Sequence, residues 1–510
     1  MRLLSILLIY LTTTVSSLNI LFYYAVVGPS HVSFLNTVIE LLVDRGHTVD
    51  VLYAVLNEKV DLSKTHSGVR RIYYNEHSDK KYWQKHAAHF NEMFVKTPTP
   101  LREFQVFDDG FFDLCQVAVN DPKLLDFLKS GNYDIGLSSD YDFCGNFLMN
   151  YTGIPVRASI MPTPIFITQI IFAGMPTVAS IYGTSFYPEH DGSFYHRIFN
   201  FIRLTYHNNI VIPHLVERTN NLMSEKFGAD VPKVEELERN IDMIFVNSHE
   251  IIEKSRPMSP KVKYIGGIGI KKPKKLTKEL DQLLSINPSG TVIFSFGTQV
   301  PTQKIPIQIR KNFVEAFKKF PNFTILWKYD SLDDDVELFR NVENIHRLEW
   351  LPQTDLLHDP RVKLFISHMG LNSFLETSYC GVPVLSIPLF ADQQSNAQNA
   401  EQLGTGLIIA KDQLSVDNIV DKLDQLLNQP EFGENAKIVA KMMAENPAKP
   451  QEMLMNWLEY AARNPGLHKA LNLPGAELTP FWYYCGDIVV FGVTIGTVIL
   501  WISLKVLRLL

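Results

Sequence analysis

Cysteine is scarce: Cys115, Cys144, Cys380 and Cys485 are all that 510 residues contain. Four are too few for a disulfide framework, and they lack the CxxC or Cys/His spacing of a zinc site. A basic excess is also missing. Lys and Arg number 48 against 54 Asp and Glu, a net charge of −6, so the chain has no electrostatic footprint for nucleic acid. Internal repeats and low-complexity tracts are absent as well. Small molecules and membranes are the partners that remain. An apolar fraction of 46% with 20% charged residues is that of a folded globule, and the length exceeds one ordinary core, which predicts two domains.

Both ends are apolar. "MRLLSILLIYLTTTVSS" has Arg2, an apolar run from Leu3 to Leu11 and small residues up to Ser17, the pattern of a secretory signal. From Ile488 to Leu504 the apolar run is uninterrupted. With Phe481 to Gly486 it reaches the ~20 residues that a bilayer helix needs. Trp482, Tyr483 and Tyr484 stand at one boundary, Lys505 and Arg508 at the other, an order that predicts a lumenal body, one span and a short basic cytosolic end. In such a compartment "NYT" at Asn150 and "NFT" at Asn322 are glycosylation acceptors by pattern.

Between the ends, "LNILFYYAV" reads as a buried strand and "GPSHVSFLNTVIELLVDRGHTVDVLYAV" as loop, amphipathic helix, Gly46 turn and strand, a βαβ opening. Residues 59–102 show no clean period. "GIKKPKKLTKEL" reads as a solvated linker. Beyond it, "TVIFSFG", "FTILWKY", "IHRLEWLP", "VKLFISH", "PVLSIPLF" and "GLIIA" are short strands separated by helical windows. That alternation predicts two doubly wound α/β domains in series, each with a parallel sheet covered on both faces.

The stretch "LFISHMGLNSFLETSYCGVP", Leu364 to Pro383, carries the most chemistry. Ligands of parallel sheets gather outside the carboxyl ends of the strands, where His368 falls. Gly370 permits close backbone approach, and a helix starting near Leu371 or Asn372 points unpaired N–H groups at the same place, suited to a phosphate. Asn372 and Ser373 add donors. Glu376, one turn further on, can accept from two neighbouring hydroxyls, as a ribose presents. "WLPQ" supplies an indole at Trp350 for stacking on a base and an amide at Gln353 for its edge. "FADQ" brings Asp392 and Gln393 to another strand end, suited to sugar hydroxyls. "FSFGT" adds Ser295, Gly297 and Thr298 for phosphate. Together they propose a nucleotide-sugar site.

In the first half, His31 of "GPSHVSF" stands at the start of a helix after the first strand. An imidazole with an ordinary pKa near 6.5 can take a proton from a hydroxyl. A carboxylate should orient it, and Asp140 in "YDIGLSSDYDFCG" is the candidate, with Asp142 in reserve. His47, in the Arg45–Gly46 turn, reads as structural. "DYD" at Asp140 to Asp142 and "DDD" at Asp333 to Asp335 match a metal-chelating D-x-D, a pattern common by chance, and no metal ligand is assigned.

From Trp350 to Gln393 the sequence resembles the signature of the UDP-glycosyltransferases, most closely the animal UDP-glucuronosyltransferase type: W-x-x-Q, "SHMG" with "NS", the glutamate, "GVP", "IPLF" and "DQ". "FSFGT", "RGH", "GGIG", "NWLEYAARNPGLHKALN" and the terminal anchor extend the resemblance over nearly the whole chain. Met369 departs from it, standing where the family usually has glycine. The resemblance implies the GT-B fold, two Rossmann-like domains facing a cleft, plus the C-terminal transmembrane helix. It divides the chain into a signal peptide (1–17), an acceptor domain (18–268), a linker (269–284), a UDP-sugar domain (285–435), a helical tail (436–480), a span (481–504) and a cytosolic end (505–510).

It further implies that Trp350 and Gln353 take uracil, Glu376 the ribose, Ser295, His368, Asn372 and Ser373 the diphosphate, and Asp392 and Gln393 the sugar, with His31 as general base. The family's acidic residue, which orients that base, aligns with Ser139, one place before Asp140. Inverting transfer of glucuronate or glucose from a UDP-sugar, a co-substrate rather than a cofactor, to a small lipophilic acceptor is the implied reaction, in the lumen of the endoplasmic reticulum or secretory pathway. No dilysine retrieval signal is present. A catalytically silent UDP-sugar-binding partner is the alternative, and homo-oligomerisation is left open.

Overall fold

The computed structural model describes residues 17–90, 94, 100–181, 193–297, 300–331, 333 and 335–508. Residues 1–16 of the expected signal peptide (1–17) and Thr298 lie outside them. Buried apolar runs form β1 (Asn19–Val26), β2 (Thr48–Val55), β3 (Val69–Glu76), β4 (Ile135–Ser138), β5 (Val156–Met161), β6 (Met243–Val246) and β7 (Val262–Tyr264). They pair in the order β3-β2-β1-β4-β5-β6-β7. A second sheet holds β8 (Thr291–Ser295), β9 (Thr324–Lys328), β10 (Ile345–Leu348), β11 (Val362–Ser367), β12 (Val384–Ser386) and β13 (Gly406–Ile408), in the order β10-β9-β8-β11-β12-β13. All pairings in both sheets are parallel.

Each order reverses once, between β1 and β4 in the first sheet and between β8 and β11 in the second. At such a reversal the connections leave toward opposite faces and open a crevice at the strand ends. The loops after β1, β4, β8 and β11 therefore meet at these crevices. β3 fell in the stretch without a clean period. It is an edge strand whose burial alternates, and its Arg70 and Arg71 clamp the buried carboxylate of Asp50.

Two expected boundaries move. Thr277 caps the helix Lys278–Leu284 through its hydroxyl, and Leu284 is buried in the second domain's core, so the connecting segment ends near residue 277. The helical tail is divided between the domains. Pro430–Ala444 packs on the helix Leu371–Cys380, whereas Pro450–Arg463 crosses back and buries Leu454, Met455, Leu458 and Ala461 in the first domain's core. Glu459 on that helix accepts from Arg45 Nε at 2.9 Å and faces His47. Leu18 N–H donates to His47 Nδ1 at 3.2 Å, which gives His47 its structural role.

Cys115 and Cys144 form a disulfide joining the helices Pro100–Asn120 and Cys144–Tyr151. Cys380 and Cys485 are free. Asn322 is exposed in the turn before β9, and Asn150 is half-buried on the helix Cys144–Tyr151. Gly486–Leu507 is one helix long and apolar enough to cross a membrane, with mean hydropathy 2.1 and no part packed inside the body.

Candidate functional site

A cavity of about 860 Å³ lies between the two domains and is lined from both. The first domain contributes His31, because Gly28 after β1 gives way at once to a helix with Pro29 in its first turn, which sets the helical φ without needing an N–H partner. Tyr24 Oη donates to the His31 carbonyl at 2.8 Å and pins this turn. The imidazole is half-buried and borders the cavity, and its desolvation there pushes its pKa down to about 4. It is neutral at physiological pH, as a proton acceptor must be.

The carboxylate expected to orient it does not touch it. Asp140 adopts a left-handed backbone, φ +49°, which turns its side chain inward to accept from the Ser159 hydroxyl and from Asn146 Nδ2 at 3.1 Å. Asp142, the reserve, accepts from Tyr23 Oη at 2.7 Å and Cys144 N–H at 3.0 Å. Tyr141, between them, faces the cleft instead. Its Oη lies 3.3 Å from His31 Nδ1 and its ring stacks on the imidazole, centroids 5.6 Å apart. The Asp392 carboxylate, across the cleft, is near enough to raise the Tyr141 phenol further above an already burial-raised value. His31, Tyr141 and Asp392 thus converge from one helix start and two loops.

Asn146 Nδ2 also donates to Glu238 Oε1 at 3.0 Å, which links two buried carboxyls. Burial, and then the like charge between them for Glu238, pushes Asp140 up to about 7 and Glu238 well above its ordinary range. Between the ordinary aspartate value of 3.8 and about 7 the folded chain holds protons that the unfolded chain has lost, so stability falls as pH rises through that window. Glu238→Gln keeps the acceptor for Asn146 and is expected to flatten the fall, raising Tm relative to wild type above the window and leaving it little changed below. Thermal unfolding followed by circular dichroism across the window checks this.

In the second domain the loops after β8 and β11 meet around His368, which is buried and whose Nδ1 has no hydrogen-bond partner among the described residues. A Cβ at Gly297, φ +71°, would stand 2.8 Å from its Cε1, and one at Gly370 would stand 2.8 Å from its Nε2. The two glycines leave the imidazole its place in the wall. Ser295 Oγ accepts from Gly297 N–H at 3.1 Å. Met369 is buried at φ +63°. This left-handed turn on a non-glycine residue costs about 1–2 kcal/mol. Its carbonyl accepts from Asn396 Nδ2 at 3.0 Å, and Asn396 also donates to Asp392 at 2.8 Å. Asp140, Met369 and Ala391, three of the seven non-glycine residues with positive φ among those described, stand in or beside the cavity wall, where backbone strain tends to collect.

Gly370 precedes the helix Leu371–Cys380, whose first residues Leu371, Asn372 and Ser373 line the cavity. Glu376 lies one turn in. Thr354 Oγ1 donates to it at 2.8 Å and Gln353 Nε2 donates to its other oxygen, while burial raises its pKa. Trp350 is 69% exposed at the rim, an unusual place for an indole unless a flat partner covers it. Asp392, pushed up to about 6 by burial, and Gln393 complete the wall; the Gln393 amide oxygen is already bound to the Leu389 and Phe390 N–H groups. Sequence reasoning missed Tyr141 and Thr354, which flank assigned residues. It also read the linker lysines as merely solvated, whereas Lys271, Lys272 and Lys274 border the cavity.

The family described as UDP-glucoronosyl and UDP-glucosyl transferase matches residues 24–510. The UDP-glucuronosyltransferase 2C1 of Oryctolagus cuniculus is 28% identical over 407 residues, 78% of each chain. The UDP-glucosyltransferase 2 of Dactylopius coccus is 25% identical over 495 residues, covering 94% of this chain and 91% of its own. Among solved structures, the calicheamicin glycosyltransferase CalG4 superposes with a TM-score of 0.61 at 13% identity over 88% of this chain and 99% of its own, a likeness of fold.

Proposed function

The chain belongs to the UDP-glycosyltransferase family and transfers a sugar from a UDP-sugar, and we propose that it does so by direct, inverting displacement with His31 as general base. The observation that carries this reading is the convergence of His31 and Tyr141 from one domain with Asp392 from the other on a single cavity. In the donor half, Trp350 stacks on uracil and Gln353 meets its edge. Glu376 takes the ribose hydroxyls, and Ser295, Thr298, His368, Asn372 and Ser373 take the diphosphate with the exposed N–H groups of the helix start. Asp392 and Gln393 hold the sugar.

UDP is a good leaving group, so the acceptor oxygen is the atom that needs activation. With Nδ1–H donating to the Tyr141 oxygen, Nε2 is left with its lone pair toward the cavity, where it takes the acceptor proton as the oxygen attacks the anomeric carbon from the face opposite UDP. The C1–O bond to the acceptor forms, the C1–O bond to UDP breaks, and the configuration inverts. Tyr141 does for this imidazole what a carboxylate does in a charged dyad, though a phenol stabilises the imidazolium less. Tyr141→Phe is expected to lower kcat by about 10-fold with the KM for donor within twofold. Steady-state kinetics separates the two, and a rise in donor KM alone would refute the positioning role.

The acceptor half of the cavity is lined by aromatic and apolar side chains, among them Phe94, Phe107, Phe111, Phe112 and Phe166, which suit a small lipophilic alcohol, phenol or acid. The body lies in the lumen of the endoplasmic reticulum or secretory pathway, anchored by Gly486–Leu507. UDP-glucuronate, UDP-glucose and UDP-N-acetylglucosamine are screened as donors against a simple phenol, following UDP release and the glycoside formed. Turnover with one of the first two is expected; UDP binding without turnover for any donor would instead identify a silent UDP-sugar-binding protein.

A further inference from the structure

Charge in the cavity wall is sorted by end. Its lysines, Lys271, Lys272, Lys274, Lys304 and Lys328, belong to the linker or the second domain, and among the described lining residues before Gly269 there is no lysine or arginine. The carboxylates lining that acceptor end are Asp108, Asp140 and Asp142, of which the last two are turned to partners of their own. Desolvation holds the imidazoles of His31 and His207 at about 4, so both are neutral. Asp108 is the charge left facing the acceptor.

Asp108 stands on the helix Pro100–Asn120, and its Oδ2 accepts from Arg218 Nη1 at 3.1 Å. The same Nη1 donates to Asp109 at 2.9 Å, so one guanidinium serves two carboxylates and a negative charge remains. Burial lifts the Asp108 pKa above its ordinary value, with Asp109 adding to the rise, in spite of Arg218 and of His214 when protonated. The rings around it favour a cation as well. Phe107, Phe111 and Phe112 are its neighbours in the cavity wall, and Phe112 already carries the Arg218 guanidinium 3.7 Å from its centroid. A carboxylate set among aromatic faces takes an ammonium ion in preference to a neutral or anionic group.

The line from the base to this carboxylate is short. The His31 ring stacks on Tyr141, the Tyr141 and Phe111 centroids are 5.8 Å apart, and Phe111 lies three residues along the helix from Asp108, which makes their Cβ atoms neighbours at about 5–6 Å. An aromatic ring with a short alkyl arm spans it. We propose that the acceptor carries an ammonium group, held by Asp108, at the end opposite the hydroxyl that His31 deprotonates, as in a phenolic arylalkylamine; this rests on the reading of His31 as the base facing the acceptor. The protonated amine is no nucleophile, so the pairing also leaves the hydroxyl as the group to be glycosylated.

The test uses the full chain in a nonionic detergent with UDP bound. Tyramine, 4-ethylphenol and 3-(4-hydroxyphenyl)propanoate, phenols with a cationic, a neutral and an anionic arm, are titrated calorimetrically into wild type, Asp108→Asn and Asp109→Asn. Tyramine is expected to bind at least about 10-fold more tightly than 4-ethylphenol, with the propanoate weakest. Asp108→Asn should cut that ratio at least about fivefold, whereas Asp109→Asn, which removes an exposed charge outside the wall, should cut it no more than about twofold. A wild-type ratio near one, a ratio that Asp108→Asn leaves intact, or an equal loss through Asp109→Asn overturns the proposal. The same phenols are then offered with each UDP-sugar. Glycosylation with no preference for tyramine refutes the ammonium site and leaves His31 its role; preferred binding of tyramine with no phenol glycosylated refutes the catalytic reading and leaves Asp108 as the ammonium site.

Discussion

His31→Ala should lower kcat by about 10²- to 10⁴-fold, the usual contribution of a positioned general base, while UDP binds within twofold of wild type. The separation follows from the architecture. His31 belongs to the first turn of the helix after β1, and the groups proposed for the nucleotide belong to the loops after β8, β10 and β11 together with the segment after β12. Alanine at position 31 leaves the turn intact, because that turn is held by the backbone, with Tyr24 on its carbonyl. Single-turnover kinetics with UDP release, paired with calorimetric titration of UDP, measures both quantities. Retention of wild-type kcat would remove the imidazole from the mechanism; loss of UDP binding would show that the first domain shapes the donor site. The burial of His31 adds a pH signature. With the free-enzyme imidazole held down at about 4, the acid limb that it imposes on kcat/KM lies well below the ordinary histidine value of 6.5.

The second large effect is on donor binding. Glu376→Ala is expected to weaken UDP by about 100-fold, ~2.7 kcal/mol, in line with the loss of two hydrogen bonds to a charged acceptor at ~1.5–3 kcal/mol each, less what the carboxylate forfeits by releasing Gln353 or Thr354. The same substitution should leave the binding of a phosphate-only probe such as pyrophosphate nearly unchanged, because the helix start and the loop after β8 are untouched. Titration of the variant with UDP and with pyrophosphate distinguishes the ribose role from a general collapse of the pocket. Equal weakening of both would place Glu376 in the scaffold rather than at the ribose.

The fold was legible where strands are buried on both faces and the sequence runs apolar for five or more residues, as in β1 and β2. It was illegible at β3, whose burial alternates because one face of the strand is exposed and whose arginines are recruited to Asp50 from the neighbouring strand. That most of the residues proposed for the nucleotide would share one crevice was legible, because they lie close in sequence on strand ends, and they do line the cavity. The partner of His31 was not. Which of Asp140, Tyr141 and Asp142 faces the cleft depends on one left-handed residue and on what Ser159, Asn146 and Tyr23 take up, contacts made to two other strands and a helix. The tail failed similarly: an amphipathic helix announces that it packs, but not on which domain.

That returning helix sets how the two halves can separate. The chain passes between them twice, near Gly269 and near Asn446, and Gln451 Nε2 on the return donates to the Ile268 carbonyl at 3.2 Å. Two strands of backbone crossing side by side leave rotation about a shared axis as the soft motion and suppress sliding or twisting. Opening about that axis would swing the far rim, where Trp350 stands, more than the floor near Gly266 and Tyr379, bonded at 3.1 Å.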